Sequence, residues 1–304
     1  MHRSEVRWVF AAAVVCWWCV WHAAAGAQSM LVERIPCGLQ VAEGGIAAVG
    51  DAGAYAVAVH PAMLSLQQRR LVIDTGSRWH FGGSGVVYAA VAVRERGERL
   101  VAGIGTTWFD SGVFDVTDWE GRPTGETARY TATALSVGVG FSLIRNVHLG
   151  AGVYSVTEQP WSGRYVGARV GVVYSRAVCT AVLQGYRVGA AVHGLGLTDG
   201  AAYEFGCGAD VVRVGWLSIG LGLSGNSREP ARCSIGYRRM LVGDEQQCRF
   251  FGVQAGVDGI NLLGVGGAPS VGFLAGYRNI VVGYAALVHI PLGFVHQLSG
   301  GVRW

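Results

Sequence analysis

The chain has 304 residues, 51% of them hydrophobic and 14% charged, with 48 glycines and a formal net charge of +4. Soluble domains carry about a quarter charged residues, so this shortage calls for deep burial or contact with lipid, and it is the reverse of a disordered composition. All 24 basic residues are arginine, which excludes a Walker A loop, a Schiff-base lysine and a Ser-x-x-Lys pair; their scatter along the sequence lacks the basic clustering that nucleic-acid binding needs.

The chain opens on MHRSEVRW, with Arg3 and Arg7, followed by the apolar run VFAAAVVCWWCVW and the small residues HAAAGAQ, where Ala25 and Ala27 suit A-x-A cleavage. Residues 1–27 read as a Sec signal peptide; the alternative is an uncleaved N-terminal anchor helix. Arg34-Ile35-Pro36 lacks the small-residue box that precedes a lipid-modified cysteine at Cys37. Cys16 and Cys19 leave with the signal. The remaining Cys37, Cys179, Cys207, Cys233 and Cys248 are odd in number and form no Cys-x-x-Cys pair, so neither a zinc site nor a complete disulfide framework is indicated. No metal and no cofactor is expected.

Residues 28–69 are rich in glycine and alanine and carry no clean alternation. They read as a segment inside or under a barrel, or as a loose periplasmic leader. From residue 70 onward the sequence alternates with period two. Between Tyr130 and Leu143, Leu135, Val137, Val139, Phe141 and Leu143 oppose Ala132, Ala134, Ser136, Gly138, Gly140 and Ser142. Candidate strands fall at 71–80, 86–94, 100–109, 130–143, 147–157, 165–174, 179–184, 186–193, 203–211, 214–223, 233–241, 250–257, 271–277, 280–290 and 292–304. Some of these must merge, leaving roughly 12 to 14, an even number by the rule for bacterial barrels. Residues 110–127, with Asp115, Asp118, Glu120 and Glu126, read as the long external loop.

Every backbone N–H and C=O in hydrocarbon must be paired within the protein, so strands with one apolar face and one small or polar face imply a closed transmembrane barrel. A soluble sandwich would place charge on its outer face. The last strand alternates through Phe294, Leu298 and Val302 to the C-terminal Trp304. That ending resembles the terminal signal by which the barrel assembly machinery recognises outer-membrane proteins, and it implies residence in the outer membrane.

Within the leading segment, Gly45, Gly50, Gly53, Ala54 and Tyr55 are followed by His60-Pro61-Ala62-Met63-Leu64. Here the sequence resembles the outer-membrane long-chain fatty-acid transporter family (FadL-type, porin-V-like), in particular a treponemal branch. In that family a G-x-x-x-x-G-x-x-G-A-[FY] stretch and an N-P-A-x-L motif form a hatch that plugs the barrel. His60 replaces the asparagine, and the connector shortens to Ala56-Val57-Ala58-Val59. The resemblance implies an all-β monomer of 14 strands, a hatch over residues 28–69 and a barrel over 70–304. It also implies passage of long-chain fatty acids or similar apolar molecules without chemical conversion. Outer-membrane lipid and the assembly machinery would be its partners. A second reading is an outer-membrane adaptor or surface interaction protein, like the porin-V-type secretion components, that transports nothing.

Gly220-x-Gly222-x-x-Gly225 lies in a strand-like run with no amphipathic helix after it, so it carries no dinucleotide reading. His148, His193, His289 and His296 sit on separate strands, and no nucleophile is paired with a base, so an enzyme is not expected. Alternation points Arg169, Arg187 and Arg303 inward. Arg169 and Arg187 are the candidates for holding a ligand carboxylate by bidentate hydrogen bonds; equally, such arginines pair with lumen acids and keep the interior polar.

Overall fold

The computed structural model describes residues 53–79, 83–95, 99–160, 164–195, 201–224, 232–244, 249–261, 268–289 and 293–304. Residues 1–27, read above as a signal peptide, and Gly45, Gly50, Cys37, Cys248 and Gly225 lie outside these residues. The strands are β1 (Leu71–Trp79), β2 (Gly85–Arg94), β3 (Leu100–Thr117), β4 (Pro123–Ile144), β5 (Val147–Gln159), β6 (Arg164–Ala177) and β7 (Leu183–Leu195). They continue as β8 (Ala202–Val211), β9 (Gly215–Ser224), β10 (Arg232–Asp244), β11 (Arg249–Asn261), β12 (Ala268–Tyr277), β13 (Ile280–His289) and β14 (Gly293–Arg303). Each pairs antiparallel with its sequence neighbours, and β14 returns to β1, closing the barrel. No sheet edge is left in the ring, as a spanning sheet requires.

The alternation read from the sequence is the observed one. On β4, Leu135 and Val137 are exposed on the outside while Ala132, Ala134, Ser136, Gly138 and Gly140 are buried inside. Phe251, Phe273, Phe294 and Leu298 extend the same outer apolar surface around the barrel. That surface faces lipid.

Two expectations need correction. Residues 179–182 are a turn, and 183–184 already belong to β7: Thr180 Oγ1 accepts the Leu183 N–H and donates to the Leu183 carbonyl where the strand starts. Merging them with the next segment brings the count to fourteen. Residues 110–127 are not an open loop either. β3 and β4 run on as a two-stranded ribbon, pairing Val113 with Arg129, Phe114 with Ala128 and Asp115 with Thr127. The strand formers Val113, Phe114, Val116, Thr124 and Thr127 outweigh the acids between them, and only the tip turns, where the Asp118 carboxylate accepts the Glu120 and Arg122 N–H groups. Neighbouring pairing ends at Gly85–Asp110 and Thr131–Gln159, so among the described residues the ribbon has no strand on either side.

At the rim that holds both Leu71 and Trp304, the Arg70 and Leu71 N–H groups donate to the Trp304 carbonyl (2.7 and 3.1 Å), and the Trp304 N–H donates to Leu71 O (2.9 Å). We call this the closing rim. Its hairpin turns include 145–146, 212–214 and 278–279; the β3–β4 ribbon projects from the opposite, far rim.

Candidate functional site: a plugged lumen

Residues preceding β1 occupy the lumen near the closing rim. A single helical turn, α1 (Ala56–Val59), leads into a 3-10 helix (Pro61–Leu66) that begins on a proline, whose fixed φ suits the first helical position. Ala54, Tyr55, Val57, Ala62, Met63 and Leu64 are buried in one cluster with Val72, Tyr88, Ala90, Ala92, Val101 and Val173 of the inner wall. Burying Val57, Met63 and Leu64 contributes on the order of 5–8 kcal/mol.

The wall admits this close approach because its inner face is glycine where the segment lies. Gly140 pairs with Gly150 and Gly150 with Gly171 across β4, β5 and β6; in the next row Gly103 pairs with Gly138 and Gly138 with Gly152. A Cβ on Gly140 would fall 2.7 Å from Ser65 N, one on Gly171 2.6 Å from His60 Cε1, and one on Gly150 would run into the Pro61–Ala62 backbone. The two rows form a floor without side chains, and the 3-10 helix rests on it.

Polar groups pin the segment along its length. The Asp74 carboxylate on β1 accepts the Ala54 N–H (2.5 Å) and the Tyr55 N–H (3.4 Å). It fits between Gly53 and Gly301, where a Cβ on Gly301 would sit 2.6 Å from Asp74 Oδ1. Tyr55 reaches Thr107 (3.2 Å between hydroxyl oxygens), Ser65 Oγ lies 2.8 Å from His148 Nδ1, and Arg94 donates to the Gln67 carbonyl. Ser65 also donates to the Ala62 carbonyl, so this Ser–His contact is a tie between segment and wall.

A repeated three-layer arrangement lines the interior. Tyr88 lies flat over Gly76 and carries the Tyr55 ring 4.6 Å above it; Tyr154 lies over Gly167 and carries the Arg169 guanidinium at 3.9 Å; Trp216 lies over Gly208 and carries Arg187 at 4.9 Å. Such cation–π stacking is favourable and is strengthened by exclusion of water. Arg169 is 2% exposed and also reaches Ser136 Oγ at 3.4 Å. Farther round, His193 and Glu204 approach to 3.5 Å.

The structure therefore brings Gly53, Ala54, Tyr55, His60, Pro61, Ala62 and Leu64 together on the inner wall, with Arg169 at the end of one glycine row, while Arg187 is stacked separately. His60 is fully buried, and neither ring nitrogen has a hydrogen-bond partner. Burial holds its imidazole at about 4 against the usual 6.5; Glu204 pulls it up and His193 down, and burial wins. Phe294 and Leu298 face outward on the closing strand, with Val302 and Trp304 beyond them. Asp74, Tyr88, Tyr154 and Trp216 escaped the sequence reading, and His148 entered it only as a histidine without a paired nucleophile. Asp74 was findable as the lone acid on the inward parity of β1, whereas the flat aromatics depend on which glycine lies across the strand pair.

Fold and interior together define a class: closed 14-stranded barrels occupied from within by the segment that precedes the first strand. Among solved structures the chain is similar to the toluene transporter TbuX of Ralstonia pickettii, with a TM-score of 0.66 and 14% identity over 91% of this chain and 100% of that one. It is also similar to the toluene transporter TodX of Pseudomonas putida (0.59, 11%, 89% and 98%) and to the monoaromatic hydrocarbon channel CymD (0.58, 13%, 91% and 99%). At these identities the likeness is one of fold. No protein-family profile and no curated protein sequence matches the chain.

Proposed function

We propose that this protein is an outer-membrane channel for apolar small molecules, long-chain fatty acids or hydrocarbons, with residues 28–69 as its hatch. The single observation that carries the reading is the seating of residues 53–67 on the glycine floor of a barrel whose fold neighbours are hydrocarbon channels. Ordinary water-filled porins have no use for a floor cleared of side chains to receive an apolar peptide. The ligand would enter from the far rim, occupy the lumen beside the hatch, and leave as the hatch shifts.

Refolded protein in liposomes tests this: influx of a fluorescent long-chain fatty acid or of toluene should exceed that of empty vesicles several-fold, and the absence of both would overturn the channel. Arg169 and Arg187 decide between cargoes. An arginine that binds a carboxylate must leave its aromatic platform to do so, whereas a hydrocarbon needs no cation. If the cargo is a fatty acid, Arg169→Gln with Arg187→Gln lowers its influx several-fold and leaves toluene influx unchanged. Equal fatty-acid influx would remove both arginines from the site.

The ribbon formed by residues 111–129 supports the second reading, a surface interaction protein. It exposes Val113, Phe114 and Trp119, the last 91% exposed, on a hairpin that no other strand flanks among the described residues.

A further inference from the structure

The arginines that are scattered in sequence converge in space. Six hairpin turns form the closing rim, and each carries an exposed arginine: Arg99, Arg145, Arg176, Arg213, Arg249 and Arg278. Arg70 adds a seventh beside the seam, where the chain passes into β1. Among the residues whose side chains are described, the exposed carboxylates at this rim are that of Glu95 and the terminal one of Trp304, and none of the seven arginines is in an ion pair. The far rim is mixed instead: Asp115, Glu120 and Glu126 are exposed on the ribbon together with Arg122 and Arg129, which pair with Glu120 and Asp110. Among the described side chains the arginines of this circle outnumber the acids, and anions outside the protein would relieve their mutual repulsion.

The outer apolar surface shows where those anions lie. It runs up to the turns: Ile144 precedes Arg145, Tyr277 precedes Arg278, Ile280 follows Asn279, and all three apolar side chains are well exposed. Lipid tails therefore reach the level of the turns, and the next layer outward is the headgroup layer. Tyrosines stand with the arginines as they do at membrane interfaces: Arg249 and Arg278 flank the Tyr277 ring at 5.8 and 5.4 Å, and Arg176 lies beside the paired rings of Tyr174 and Tyr186. Guanidinium groups chelate phosphate oxygens in pairs.

We propose that the arginines of the closing rim form a circumferential collar that binds the phosphates of anionic phospholipids in the leaflet on that side. The collar fixes the depth of the barrel whatever the lumen carries. Turns on one rim need only be polar to be soluble; an arginine at every one is a stronger requirement, which headgroup phosphates meet.

The test compares the folded protein in phosphatidylcholine vesicles with the same vesicles containing phosphatidylglycerol. Anionic lipid should raise the heat-modification midpoint by several degrees, and detergent-extracted barrels should retain phosphatidylglycerol over phosphatidylcholine by roughly tenfold, an advantage that high salt erases. Combined Arg145→Gln, Arg176→Gln, Arg213→Gln and Arg278→Gln should abolish both effects in a barrel that keeps its β spectrum. The corresponding Arg→Lys variant should keep most of both effects and serves as the folded control should the glutamine variant not assemble. Equal retention of the two lipids by the natural protein overturns the collar. So does full stabilisation by inorganic phosphate in phosphatidylcholine vesicles, since the site would then be for a free anion.

Discussion

Gly150 has the least room of any floor position, because a methyl group there meets the backbone of Pro61 and Ala62 rather than a side chain that can turn aside. Gly150→Ala is expected to lift the 3-10 helix and cost about 1–3 kcal/mol of docking; faster amide exchange over residues 56–66 and leakage of small polar solutes from proteoliposomes would register it. His60 sets a pH dependence. Its docked value lies below its free value, so the undocked hatch binds the extra proton: docking is at full strength above about pH 6.5 and weakens as pH falls toward 4, by at most about 3 kcal/mol. Protection factors over the same residues, taken against the intrinsic exchange rate at each pH, should fall from pH 7 to pH 5, and His60→Asn should flatten the trend. A profile as steep in the asparagine variant would remove His60 from the effect.

At the scale of elements, period-two patterning carried most of the barrel, because lipid outside and a tight interior give each strand two unlike faces. The pattern misled only where that contrast ends. Beyond Asp110 both faces of the ribbon meet water, so alternation fades and the acids suggest a loop, though the backbone stays paired. The interior was legible in part: glycine and alanine on the inward face of residues 132–142 imply something close against them, but not that Gly140, Gly150 and Gly171 fall side by side, which depends on cross-strand register. Arg169 and Arg187 were placed inward by parity; that Arg169 stacks on Tyr154 of the neighbouring strand and Arg187 on Trp216 two strands away was invisible for the same reason. An isolated hairpin contributes little to a fold already closed beneath it. Replacing residues 112–128 with a two-residue turn should therefore leave heat-modifiable migration and lumen transport intact, while any partner bound through the ribbon is lost.

For the whole molecule, closure runs along the β1–β14 ladder from Val72–Arg303 to Trp79–His296 and is finished by three backbone bonds between Trp304 and residues 70–71. Deleting Trp304 removes them along with the proposed assembly signal of Phe294, Leu298, Val302 and Trp304. The amount of heat-modifiable barrel recovered from cells should fall severalfold, and more than after Trp304→Phe, which keeps the backbone. Equal recovery of the two variants would assign the effect to the indole instead.

Asp74 joins that seam to the hatch. Its carboxylate is held on one side by Gly301, in the last strand to be made, and on the other by Gly53, ahead of the first. The hatch can therefore seat fully only after the final strand is in register, so the occluded interior is completed at the end of assembly. A chain truncated before residue 301 would lack one wall of the Asp74 socket and hold its hatch loosely. Such a faulty barrel would betray itself as a leak.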